Sequence, residues 1–489
     1  MKKGSLTVFS ALCMTLVISA LFVLLEAARV YGLNQYSEWK SEQGMEYAAA
    51  EYQSYLWKEY RLLMLDGGYG TDNFDIGKVT GRVQHGIRSS AEYEKTSIKG
   101  SGVDFFQLKL SHIYEPEYLL VTDEAGEVFL DILASYMKKN FSKETAKALY
   151  EKYQNQEETQ NNELDVDEAI ETAKNSIQTA KEETENKEVT QIDENPLDVV
   201  QEIKSTLNFS LLGMVIGDSN ELSVKSINSE EMLENRELKT GTMEYSAQSD
   251  WYRKILALEY AAMYCSHYGK ENEEHFLNYE LEYIIGGESE EQKNLEEVVK
   301  KLLFSRTAAN ITYLLGDTDK MAKANAIAMT LAGFSGNPAI IKAVEIAVVG
   351  SWAFLEGVQD VRALLMGGKI ALIKTAEQWT TNLSNLKESF EKTSRAKECE
   401  NGWKYEDYLK QMLFLVKDEI LAYRILTVME QNLRGTELYK ECRMDHMIIS
   451  FDYKMEFSAA PLFSTLSFIQ AGKAKEFIFN KEKSISYMP

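Results

Sequence analysis

The sequence predicts an α+β protein: a single N-terminal transmembrane helix continuing into a long amphipathic helix, then a mainly helical ectodomain carrying a small antiparallel sheet. Three observations carry this. Leu6 to Leu25 is a run of twenty residues without charge, Pro or Gly, the length a helix needs to cross the hydrocarbon core. Only five Pro residues occur in 489, with 45% apolar content, which favours helices and is ample for a sizeable core. Two segments alternate strictly: Leu277, Tyr279, Leu281, Tyr283 and Ile285, and Met447, Ile449, Phe451, Tyr453, Met455 and Phe457. Each alternation predicts a strand with one apolar face.

The anchor is read first. Lys2 and Lys3 precede the apolar run, and the positive-inside bias then places the N-terminus in the cytoplasm and the C-terminal domain outside the cell membrane. A cleavable signal has a shorter apolar region and an A-x-A-like site, whereas a cut after Ala28 would leave Glu26 at the -3 position. A retained single-pass anchor is expected. Ala11, Thr15 and Ser19 recur every four residues, a small-residue strip along which another helix can pack. Beyond Ala27, Met45, Ala48, Ala49, Tyr52, Tyr55, Leu56, Tyr60 and Leu63 keep helical spacing, so the helix is expected to run to Leu65, on the order of 90 Å at 1.5 Å per residue, and to stop at Gly67, Gly68 and Gly70.

After this anchor and amphipathic helix (1–66), residues 67–150 read as a small α/β segment, with alternation at Phe106, Leu108 and Leu110 and a helix through Lys139. Residues 151–195 hold fourteen acids against four lysines and read as a solvated helix or a disordered acidic spacer, at a boundary or in an insertion. Residues 196–489 read as the α-rich ectodomain, with strands near 277–285 and 447–457 and helices around 291–315, 318–332, 338–366 and 403–432. The segment from Ala339 to Val361 is strongly apolar, but Lys342 and Glu345 interrupt it. It is expected to be a buried core helix rather than a second span.

A formal charge of -23 argues against nucleic acid and anionic lipid as partners. Of four cysteines, Cys13 lies in the apolar run and Cys265, Cys399 and Cys442 are scattered; a Cys399–Cys442 bridge is the one pairing considered. Cys265, His267 and His275 offer soft ligands within eleven residues, at a spacing that fits no standard zinc pattern. Glu356 and Asp360 lie four apart on one helical face, the arrangement of an acid and base pair and equally of a buried carboxylate pair satisfied by basic side chains. The turn from Gly68 to Gly70 is too short for a phosphate loop, and no cofactor motif is present.

The start GSLTVF, the apolar helix and the EAAR junction resemble the N-termini of TadE- and TadG-like proteins of Tad (Flp) pilus loci. With EYQSYLWKEYRLLMLDGGYG, NYELEYIIGGESEEQKNLEEVVKKLLFSRTAANITYLL and WAFLEGVQDVRALLMGGKIALIKTAEQW, the chain resembles a Gram-positive family of unknown function associated with such loci. The resemblance implies a pilus-associated membrane protein whose partners are other pilus-assembly or pilin-like membrane proteins. It also implies prepilin-type processing between Gly4 and Ser5, although Phe9 stands where pilins typically carry a glutamate. Two functions are therefore carried forward: a non-enzymatic structural or assembly component, or a membrane-tethered surface or cell-wall enzyme using Glu356 and Asp360.

Overall fold

A computed structural model describes residues 3–97, 104–160, 165–183, 195–216, 222–247, 250–384, 395–463 and 475–488. The chain divides into two compact units: Met1–Ile132 with Glu237–Ala247 and Leu433–Pro489, and Leu133–Arg236 with Gln248–Asn432. Both units are assembled from separated chain segments, so the boundaries read from composition at 66, 150 and 195 do not coincide with them.

The first unit contains helix α1 (Lys3–Ala49), α2 (Ser54–Tyr60), strand β1 (Leu65–Asp66), α3 (Ile76–Ser97), β2 (Lys109–Ile113), β3 (Glu117–Leu120), the start of α4 (Glu127–Met137), β4 (Met447–Ala459) and β5 (Phe477–Ser486). The central strand is β4, antiparallel to β5 along one edge and to β1, β3 and β2 in turn along the other. Its alternation is the expected one. Phe451, Tyr453, Met455 and Phe457 face inward with Leu33, Met45 and Ala48 of α1 and Val79, Val83 and Ile87 of α3. The outward row of β5 is Ile478, Asn480, Glu482, Ser484 and Ser486.

Helix α1 has two halves of different character. From Leu6 to Leu25 most apolar side chains are exposed, with Leu6, Phe9, Leu12, Leu16 and Leu24 between 64% and 71% exposed, while Ile18 and Phe22 are half-buried. From Glu26 onward a stripe including Arg29, Leu33, Ser37, Ser41, Met45 and Ala48 is buried. Where α1 meets α3, an added Cβ on Gly44 would lie 2.6 Å from Ile87 Cγ1, and one on Gly86 would lie 3.0 Å from Gly44 Cα. Only hydrogen at those two positions lets the backbones approach this closely.

The helix ends sooner than its periodicity predicts, at Ala49 rather than Leu65. Tyr487 Oη donates to Ala49 O at 2.6 Å from 438 residues away, satisfying a terminal carbonyl by a contact no local signal announces. The chain then turns, Gln53 caps α2 through Tyr55 N–H, and Arg61 closes it in the left-handed region at φ 57°. In the Gly-rich turn, Asp66 accepts the N–H groups of Gly68 and Gly70 at 2.7 and 2.6 Å. Those amides serve an internal carboxylate.

The second unit is helical: α5 (Lys143–Gln160), α6 (Val166–Glu183), α7 (Pro196–Val215), α8 (Trp251–Tyr264), α9 (Glu280–Gly286), α10 (Glu291–Gly316), α11 (Thr318–Ala332), α12 (Pro338–Leu365), α13 (Tyr405–Leu415) and α14 (Asp418–Arg434). Caps fix several starts. Asp317 accepts from Asp319 and Lys320 N–H at α11, and Asn337 accepts from Ala339 N–H ahead of Pro338 at α12. The apolar window of α12 is 61% buried against 6% for α1, so α12 is a core helix, as its interrupting charges predict.

Several expectations are corrected here. The acidic run from 151 is not a spacer over its described part: α5 and α6 occupy it, and Val166, Ile170, Ala173 and Ala180 form a buried stripe on α6, which packs on α12. Few apolar residues suffice because they sit at helical spacing. Residues 184–194 lie outside the described residues. The expected helix at 403–432 is two helices broken at Val416, whose carbonyl accepts from Lys254 Nζ at 2.7 Å. Cys399 and Cys442 form no disulfide and belong to different units; Cys442 Sγ instead donates to Asp66 at 3.3 Å.

The expected strand at 277–285 is helix α9. Strict alternation predicts a strand only if the intervening polar residues face water. Here Glu280 and Glu282 are as buried as Leu281 and Tyr283, so the segment is enclosed all round. Glu280 accepts from Ser266 N–H at 2.7 Å and Asn432 Nδ2 at 2.5 Å. Glu282 accepts from Tyr268 N–H at 3.0 Å and Tyr405 Oη at 2.8 Å. Burial pushes the Glu282 carboxyl up to about 7 against these stabilising bonds.

Candidate functional site

A densely bonded point of the first unit is the EAAR junction, where α1 leaves its apolar run. Glu26 and Arg29, three apart on one face, form an ion pair at 2.8 Å with side chains 7% and 3% exposed. Arg29 also donates to Phe105 O and Phe106 O at 2.6 Å each and to Ala460 O at 2.9 Å. The second Glu26 oxygen accepts the N–H groups of Leu462, at 3.0 Å, and Phe463. One ion pair thus ties two loops to the helix, one leading to β2 and one following β4. A planar guanidinium, with five donors in a fixed fork, suits a clamp that must reach three carbonyls and a carboxylate from one side chain.

Further along α1, Lys481 pairs with Glu38 at 3.0 Å and Lys483 with Glu42 at 2.8 Å, so β5 is held to the helix by charge as well as by Phe479. Lys483 and Lys481 hold the Glu38 carboxyl below its ordinary range.

On the expected packing strip, Thr15 Oγ1 turns back onto its own helix, to Leu12 O at 2.8 Å and Ala11 O at 3.1 Å. Ala11 and Thr15 are exposed while Ser19 is 3% exposed. Gly4 and Ser5 lie in the first turns of α1, and Phe9 is 65% exposed.

Glu356 and Asp360 do share one face of α12, but both are fully buried in a four-charge network that closes on itself. Glu356 accepts from Thr380 N–H at 3.0 Å, from Thr381 N–H and Oγ1 at 2.8 and 2.7 Å, and from Lys374 Nζ. Asp360 accepts from Arg306 Nε at 3.0 Å and Asn310 Nδ2 at 3.1 Å and lies 2.5 Å from Lys374 Nζ. Arg306 continues to Leu372 O and Tyr408 Oη. Two carboxylates against two cations leave no net charge, and neither carboxylate reaches solvent. Sequence spacing identified the anions. Their partners come from α10 and from the segment after α12, which no local pattern specifies.

Cys265 caps α8, and burial pushes its thiol well up, so it is held as a neutral thiol. His267 Nδ1 lies 2.8 Å from Tyr268 O, and His275 Nδ1 lies 2.8 Å from Glu280. His275 is thus committed to Glu280, whereas His267 is held through Nδ1 and its Nε2 lies 4.0 Å from Glu406. Among the described residues, no group of three or more His, Cys, Asp and Glu could hold a metal ion.

An apolar N-terminal helix of membrane-spanning length, continued along an antiparallel sheet and accompanied by a helical unit, defines an α+β protein with a membrane-anchor-type N-terminus. The chain belongs to a family of unknown function, DUF5702, which matches residues 183–459. That span begins beyond α1 and ends on the last residue of β4. No curated protein and no solved structure matches the chain.

Proposed function

We propose that this is a single-pass membrane protein with a cytoplasmic N-terminus and extracellular C-terminal units, acting as a structural or assembly component of a Tad-type pilus beside other pilin-like membrane proteins. The observation that carries this reading is the division of α1: a largely exposed apolar half, then a half laid against an antiparallel sheet, which is the layout of a pilin-like subunit. The residues GSLTVF and EAAR add the resemblance to TadE- and TadG-like N-termini. Phe9, in place of the expected glutamate, favours an assembly role over that of a polymerising major subunit. The alternative, an enzyme using Glu356 and Asp360, needs substrate access that two fully buried residues lack.

Deleting the gene in its own host tests the role. Loss of surface pili and of adhesion, restored by the intact chain, is expected, whereas unchanged pilus assembly would end this reading. Orientation is tested separately by a membrane-impermeant maleimide on intact cells. Cys399, a free and partly exposed thiol, should be labelled without lysis; labelling only after lysis would place the second unit in the cytoplasm.

A further inference from the structure

The loops gathered by Glu26 and Arg29 combine satisfied backbone groups with apolar side chains that stay exposed, as at Phe105, or half-buried, as at Phe463. Phe105 is 58% exposed although its carbonyl is bonded to Arg29. Its ring stacks on that of Phe463, with centroids 6.4 Å apart and planes at 21°, while Phe463 N–H is bonded to Glu26. Asp104, the nearby charge, turns its carboxylate onto the N–H groups of Phe106 and Gln107 at 3.0 Å each. The sheet adds a third element at the same end. Ala459, next to the Ala460 carbonyl that Arg29 binds, pairs with Phe477, and Ser458 pairs with Ile478. Ile478 is 59% exposed and is the one apolar residue in the outward row of β5.

Depth decides what these side chains face. Arg29 lies four residues beyond Leu25, the last of the uncharged run, which is about 6 Å of helix at 1.5 Å per residue. The headgroup zone on each side of a bilayer is about 5–8 Å thick. Loops bonded to Glu26 and Arg29 therefore lie within that zone whenever Leu6–Leu25 fills the hydrocarbon core. Exposed Phe and aliphatic side chains gain by entering the boundary between headgroups and acyl chains at this depth, and bonded backbone groups avoid the cost of leaving N–H and C=O without water.

We propose that Phe105, Phe463 and Ile478 form a collar that enters the lipid interface around α1, fixing the first unit's depth and tilt on the membrane. The proposal rests on α1 being the membrane anchor. The strongly acidic chain points to zwitterionic headgroups as the surface met.

The test uses the full chain reconstituted in phosphatidylcholine vesicles, with Phe105 replaced by photo-reactive p-benzoylphenylalanine and lipid adducts measured by mass spectrometry. The same replacement at Leu16, in the anchor, and at Leu438, 80% exposed in the same unit, brackets the result. Position 105 is expected to give on the order of tenfold more lipid adduct than position 438, approaching position 16. Adducts at 16 with 105 no better than 438 would overturn the collar while leaving the anchor. Cross-linking of 105 to a second copy of the chain in place of lipid would also overturn it. Absence of adducts at 16 would remove the anchor and the collar together.

Discussion

Glu26 and Arg29 pair at 2.8 Å one turn apart in α1, and through them the loops at 104–107 and 460–463 are fastened to the helix where its apolar run ends. Removing one partner of a buried ion pair leaves the other charge uncompensated, typically at a cost of about 3–5 kcal/mol. Arg29→Ala is expected to destabilise the first unit by that order. Glu26→Ala with Arg29→Ala should cost less than the sum of the two single changes. Denaturant-dependent labelling of Cys442, buried in this unit, reads the opening; additive losses would mean that the two residues act separately.

Gly44 is expected to resist even a methyl group. Its added Cβ would meet Ile87 Cγ1 at 2.6 Å and the Val83 carbonyl at 2.9 Å, and overpacking of this kind costs about 1–3 kcal/mol. Gly81, on α3, has nothing within 4 Å of an added Cβ. Gly81→Ala should therefore stabilise by up to about 1 kcal/mol through helix propensity. The same Cys442 measurement compares the two, and equal effects would argue against a close crossing of α1 and α3.

Asp360→Ala is expected to cost the second unit about 3–5 kcal/mol, because Arg306 and Lys374 would be left buried with half their compensation gone. Cys265, buried in that unit, reports its unfolding. An unchanged unfolding midpoint would show that the network does not support the core.

Glu282 should make the second unit less stable as pH rises from about 4.5 to 7. Burial raises its folded carboxyl from an ordinary 4.5 to about 7, so between those values the folded state binds the proton that the unfolded state has lost. The unfolding free energy then falls with pH, its contribution fully present below the unfolded value and lost as pH passes the folded one. The span corresponds to about 3 kcal/mol. Glu282→Gln should flatten the profile over this window; an unaltered slope would assign the dependence to other groups.

The legible parts of the fold were those in which polarity and exposure coincide. The largely exposed apolar run of α1 and the alternation of β4 follow that rule, as does the interrupted α12. The illegible parts break it. Glu280, Glu282, Glu356 and Asp360 are polar and buried, so α9 resembled a strand, and the carboxylate spacing could not tell a cleft from a sealed network. The clamp was half visible: EAAR stood out as a junction, but Phe105, Phe106, Ala460 and Leu462 come from segments that only the folded sheet brings together. The early end of α1 likewise depends on Tyr487, at the far end of the chain.

The central claim is that α1 stays attached as one continuous anchor and scaffold. A cut after Ala28 would separate Glu26 from Arg29 and release the loop at 460–463 from its acceptor. Mass spectrometry of the mature N-terminus from purified membranes tests this most directly. A chain beginning at Met1, or at Ser5 after prepilin-type processing, retains the whole clamp and is the expected result; a chain beginning at Arg29 would contradict the account.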